Sequence, residues 1–201
     1  MFHHGESRDA FTDLLFNALL GFAFMFITAF AMINETSATG KVESKAEILV
    51  TVRWADDHPD DIDTLIEDPQ GNLLWYRNRD TGLMHLDRDD RGSLADRMSV
   101  DGVQITAPIN QETATLRALS PGEYVVNVFH FKANTAAPVT VSVKVEKLNP
   151  SVTLLHYDTV VLTGLGDEKT ALRFTIDRDG NVIDTNTLSK ALLSTATRPF
   201  R

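Results

Sequence analysis

Tyr124-Val125-Val126-Asn127-Val128-Phe129-His130-Phe131 is the stretch that decides the fold of the larger part of this chain. It is dense in β-branched and aromatic residues, which suit a pleated, half-buried surface. It follows Ser120-Pro121-Gly122-Glu123, a turn signal, so it reads as a strand. Ala114–Leu119 leads into that turn, and Val139–Glu146 follows as another strand with clear alternation. Further out lie Glu47–Trp54, Leu73–Tyr76, Val152–Tyr157, Thr159–Leu162, Leu172–Ile176 and Val182–Asp184. Asp177-Arg178-Asp179-Gly180-Asn181 separates the last two as a hairpin turn. Seven to nine short strands at this spacing predict a β-sandwich over residues 46–193, with a loose tail at 194–201.

The chain has 201 residues, which is one ordinary domain plus an appendage. Charged residues are 23% and hydrophobic residues 43%, a globular balance. There is no cysteine, which excludes disulfide scaffolds, thiol nucleophiles and cysteine-ligated metals. The net charge of −9 repels phosphate backbones, so nucleic acid is not an expected partner.

The appendage is membrane-grade. Leu14–Ile33 reads LLFNALLGFAFMFITAFAMI, twenty residues without a charge. As a helix it is roughly 30 Å long, the thickness of a bilayer's hydrocarbon core. Its five phenylalanines are spread around the helix, which suits lipid on all sides. The rival is a cleaved signal peptide, for which Ala29-Phe30-Ala31 offers a small-x-small site. Glu6, Arg8, Asp9 and Asp13 make an acidic flank where a signal peptide wants a basic one. The reading is therefore a cytoplasmic segment at 1–10, a transmembrane helix at 11–33 and a polar linker at 34–45. Arg8 before the span and Lys41 and Lys45 after it leave the charge bias nearly silent on orientation.

Asp13 stands at the start of the apolar run. One reading is an interfacial residue favouring a helix N-terminus. The other is an ion or proton path, because ionisable groups at membrane depth are expensive. Asn17 follows one turn later on the same face, and Leu20 and Gly21 continue it. A polar, small face suits packing against other helices.

At Phe11–Phe24, FTDLLFNALLGFAF, the sequence resembles the single transmembrane helix of the MotB/ExbD/TolR group, the B-type subunits of ion-driven motors. The resemblance implies that Asp13 carries a proton or sodium ion, with Thr12, Asn17 and Gly21 supporting that helix face. It implies a dimer inside a ring of MotA/ExbB/TolQ-like polytopic subunits in a bacterial inner membrane. The N-terminus would be cytoplasmic and the sandwich extracytoplasmic, facing an unknown ligand. The peptidoglycan-binding domain of MotB is not recognisable downstream. A pilin-like subunit fits less well, since Gly5 lies six residues before Phe11.

The segment Trp54–Gly92 is rich in aspartate. Asp61–Asn72 resembles the strand-and-turn of YfaP-like bacterial β-sandwich domains. Leu86–Gly92 resembles their acidic loop and Pro121–Tyr124 the start of a later strand, within Ile48–Val145. That resemblance implies a fold and no activity. Asp61, Asp63, Asp87, Asp89 and Asp90 are candidates for a calcium ion, which wants six to eight oxygens. The competing reading pairs them with Arg77, Arg79, Arg88, Arg91 and Arg97. His3, His4, His58, His85, His130 and His156 form no catalytic set, with His130 and His156 read as structural. No nucleophile elbow, P-loop, zincin motif or nucleotide fingerprint is present. The reading is a non-enzymatic motor subunit. The alternative is a membrane-anchored binding module, with or without calcium, that transports nothing.

Overall fold

The computed structural model describes residues 6–34, 46–93 and 96–193. Contacts divide the chain into two units, residues 1–44 and 45–201. The linker at 35–45 and the tail at 194–201 lie outside the described residues.

In the first unit, α1 spans Glu6–Asn34. It extends past the expected 11–33 at both ends. Glu6-Ser7-Arg8-Asp9 has nothing that breaks a helix, and acidic residues favour a first turn. Within α1, Ala10–Phe30 is 21 residues long and apolar enough to cross a membrane. Thr28 is accommodated there because its hydroxyl donates back to the carbonyls of Phe24 and Met25, at 2.9 and 3.0 Å.

The second unit is a β-sandwich, and the chain as a whole is mainly β. The first sheet is antiparallel, in the order β10 (Thr153–Leu162), β9 (Val139–Lys147), β1 (Ile48–Arg53), β7 (Gln111–Leu116), β4 (Met84–Arg88). The second runs β12 (Val182–Asn186), β11 (Glu168–Ile176), β8 (Gly122–Lys132), β2 (Asp61–Glu67), β3 (Leu73–Leu74). A separate hairpin joins β5 (Arg97–Val100) to β6 (Val103–Thr106).

Alternation places the core. In β1, Ile48, Val50 and Val52 are buried while Thr51 and Arg53 face outward. They meet Val141, Val143 and Val145 of β9, Ala114 and Leu116 of β7, and Val126, Val128 and Phe174 of the other sheet. Tyr124 and Phe174 stack at 5.1 Å between ring centroids. A smaller cluster gathers Leu65, Trp75, Phe129 and Leu193.

The described residues form twelve strands rather than seven to nine. The acidic stretch expected as a loop at Leu86–Gly92 begins inside β4, which ends at Arg88. Val152–Tyr157 and Thr159–Leu162 are one strand, β10, because Asp158 stays in the ladder opposite Val143 after a bulge between Leu154 and His156. The β5–β6 hairpin had a legible signal in Asp101-Gly102, both at positive φ, 50° and 79°.

Candidate functional site

Two places in the chain concentrate chemistry, one in each unit. In α1, Asp13 is the sole ionisable residue between Ala10 and Phe30. Its helical spacing puts it on one face with Asn17 and Gly21. A Cβ added to Gly21 would meet nothing within 4 Å, so that face is open to a neighbouring helix. Every side chain from Ala10 to Phe30 is exposed within the chain itself.

In the sandwich, β2 is the element that builds the site. It pairs with β8 along its length, but β3 reaches only Ile66 and Glu67. From Asp61 to Leu65 the other side of β2 carries no strand among the described residues. Glu112, on β7 of the opposite sheet, fills part of that gap. Its Oε2 accepts a hydrogen bond from the Thr64 backbone N at 2.5 Å, bridging the two sheets. Glu112 is 1% exposed and Asp63 is 3% exposed. Asp63, Asp89 and Glu112 each offer an oxygen, and these oxygens lie within 4.8 Å of one another.

The loop carrying Asp89 is pressed against the start of β2 by Gly92. Its φ is 64°, and a Cβ there would sit 2.5 Å from the Asp60 carbonyl oxygen. Only glycine permits that approach. Asp60, just before β2, anchors the other side. Its carboxylate accepts from the backbone N of Asn134 at 2.7 Å and of Thr135 at 2.9 Å, and from the Thr135 hydroxyl at 3.0 Å. His130 Nε2 lies 2.9 Å away, with both side chains fully buried. Burial pushes the Asp60 carboxyl up, but these hydrogen bonds outweigh it and hold the group below its usual value.

The neighbouring carboxyls go the other way. Burial first, then Asp89, pushes Asp61 up to about 6 against the pull of Arg91. Burial, then Asp61 and Asp89, holds Asp63 well above the carboxylate range. Burial and then Asp63 do the same to Glu112, which the Thr64 hydrogen bond only partly offsets. Carboxyls packed this closely resist ionising together.

Of the five aspartates singled out in the sequence, Asp61, Asp63 and Asp89 come to this place. Asp87 does not: its Oδ1 lies 4.0 Å from both His85 Nε2 and an Arg117 nitrogen. Asp90 is also committed elsewhere, accepting from Arg88 at 2.8 Å and from the Gln111 backbone N at 3.1 Å. Strand alternation through β4 separates Asp87 from Leu86, which turns into the core. The arginine reading holds in part. Arg79 and Arg91 flank Asp89 at 3.8 and 4.0 Å. Arg77 instead lies over the Trp75 and Tyr76 rings. Glu112 was not legible as a site residue. It occupies a core position of an alternating strand, and a charged residue there was its only signal.

Two of the solvent-facing clefts bear on function. One of about 610 Å³ lies on the outer face of the first sheet, lined by Arg53, Gln111, Lys144, Tyr157 and Thr159 among others. The other, about 400 Å³, is lined by Pro59, Asp61, Arg91, Ser93, Lys132 and Asn134. Comparison with protein-family models, with curated proteins and with solved structures found no match for the chain.

Proposed function

We propose that this chain is a B-type subunit of an ion-driven membrane motor, with Asp13 carrying the proton or sodium ion. The observation that carries the reading is a single ionisable residue, an acid, in a 21-residue span apolar enough to cross a membrane, on one helix face with Asn17 and Gly21. Because α1 begins at Glu6, Asp13 lies beyond the first turn, where a tether would gain from the helix dipole, and its insertion costs up to about 3 kcal/mol at a span's centre and less toward its end. A helix that moves ions requires it. Two copies of α1 pack through the Gly21 face inside a ring of polytopic subunits. The N-terminus is cytoplasmic, and the sandwich lies outside a bacterial inner membrane.

Mechanically, a bound proton or sodium ion cancels the charge on Asp13 and its release restores it, and a charge among apolar neighbours is costly. Loading and release therefore bias two packed arrangements. Each charge moved through 100 mV supplies about 2.3 kcal/mol.

A second reading, a tethered binding module without transport, is favoured by the groove on the outer face of the first sheet. An apolar carbodiimide separates the two in membranes of the cell that makes the protein. The motor reading expects an adduct on Asp13 that a water-soluble carbodiimide does not form. Equal labelling by both reagents places the carboxyl in bulk solvent and favours the tether.

A further inference from the structure

We infer that Asp63, Asp89 and Glu112, with Asp61 beside them, form a binding site for a hard divalent cation of the calcium class, which staples one sheet of the sandwich to the other. The inference is independent of what Asp13 does.

The spacing fits one ion. Calcium binds oxygen at about 2.3–2.6 Å, so two oxygens on opposite sides of it are at most about 5 Å apart. The three carboxyl oxygens lie within 4.8 Å of one another. The donor set is oxygen only, without histidine or cysteine, which disfavours zinc and copper.

Glu112 supplies a separate argument. It comes from the opposite sheet and is almost completely buried. Its Oε2 is taken by the Thr64 backbone N, and its Oε1 has no partner among the described residues. Asp63 Oδ2 and Asp61 Oδ1 are likewise buried and unpartnered. Among the described residues, no Lys, Arg or His nitrogen comes within 4.0 Å of Asp61, Asp63 or Glu112. Arg79 and Arg91 both address Asp89 Oδ2, at long range. Buried polar oxygens are almost always satisfied in native proteins. A single shared proton can satisfy one pair of carboxyls, and here there are four. A divalent ion satisfies Asp63, Asp89 and Glu112 together, with water completing its shell and its charge favouring the neighbouring Asp61 carboxylate. Asp61, beside the three ligands, also lines a solvent-facing cleft of about 400 Å³ with Arg91.

Bound there, the ion would hold β2 of the second sheet to β7 and the Asp89 loop of the first. The gap beside β2, which no strand among the described residues fills, would be closed by metal bonds instead of backbone pairing.

The test is thermal unfolding of the full chain in detergent micelles, in calcium chloride and in EDTA. At a hundredfold excess over Kd, calcium should raise the wild-type midpoint by about 5–10 °C. Glu112→Gln should fold, melt in EDTA at or above the wild-type midpoint, and lose the calcium increment. It keeps an oxygen for the Thr64 N–H and removes one repelling charge. Asp89→Asn, on the loop, should also lose the increment. Equal midpoints in EDTA and in calcium, magnesium or manganese would overturn the site, leaving a cluster held by protons. An undiminished calcium increment in both variants would overturn the assignment as well.

Discussion

At the scale of single residues, the buried carboxyls of the sandwich divide into two kinds that adjoin in sequence. Asp60 is surrounded by donors, whereas Asp63 lies among other acids and Asp61 between acids and the cations Arg91 and Lys132. The Asp60 carboxylate serves Asn134, Thr135 and His130 together, so it fixes the 133–135 turn to the start of β2. Asp60→Ala should cost about 2–4 kcal/mol in chemical denaturation, because it strands those buried donors. The pH dependence follows from the lowered folded value. That stabilisation is fully present above the usual aspartate value of 3.8 and is lost as pH falls through the lower folded value. The gap between wild type and Asp60→Ala should therefore be constant at neutral pH and narrow in strong acid. A gap that widened in acid would contradict this assignment.

At the scale of elements, β8 carries the second sheet, since it pairs with β2 on one side and β11 on the other. Its start is fixed by a corner in which the Tyr124 hydroxyl accepts the Ser120 backbone N–H at 2.8 Å. Pro69 packs so close to Gly122 that a Cβ there would lie 2.6 Å from it. Tyr124→Phe keeps the ring on Phe174 and removes only the acceptor. It should cost about 1–2 kcal/mol by urea denaturation, with the m-value unchanged. Elements of this kind were the legible part of the sequence. Tyr124–Phe131 and Val139–Glu146 are long, β-branched and bounded by turns, so local pattern and tertiary packing agree. The Asp177–Asn181 turn is also as read: Asp177 accepts from the backbone N of Asp179 and Asn181. The β5–β6 hairpin was missed although Met98, Val100, Val103 and Ile105 alternate around Asp101-Gly102; all four are exposed, so the hairpin adds nothing to the buried core. Glu112 was missed for a reason of its own. Its partners come from β2 and from the loop after β4, and no local pattern encodes a contact between sheets.

At the scale of the whole molecule, the chain joins a helix apolar enough for a bilayer to a sandwich whose densest chemistry is buried acid. The net charge of −9 is compatible with a cation-binding domain and opposed to a polyanionic ligand. What the helix does was legible only as far as Asp13, Asn17 and Gly21 share a face. The partners that would enclose that face belong to other chains, and a single sequence carries no record of them. The central claim is that Asp13 moves an ion. Its most direct measurement is ion flux in vesicles holding the full-length protein together with the membrane subunits that copurify with it, under an imposed proton or sodium gradient. The account predicts flux in the wild type, its loss in Asp13→Asn, and partial retention in Asp13→Glu. Flux in Asp13→Asn equal to the wild type would contradict it.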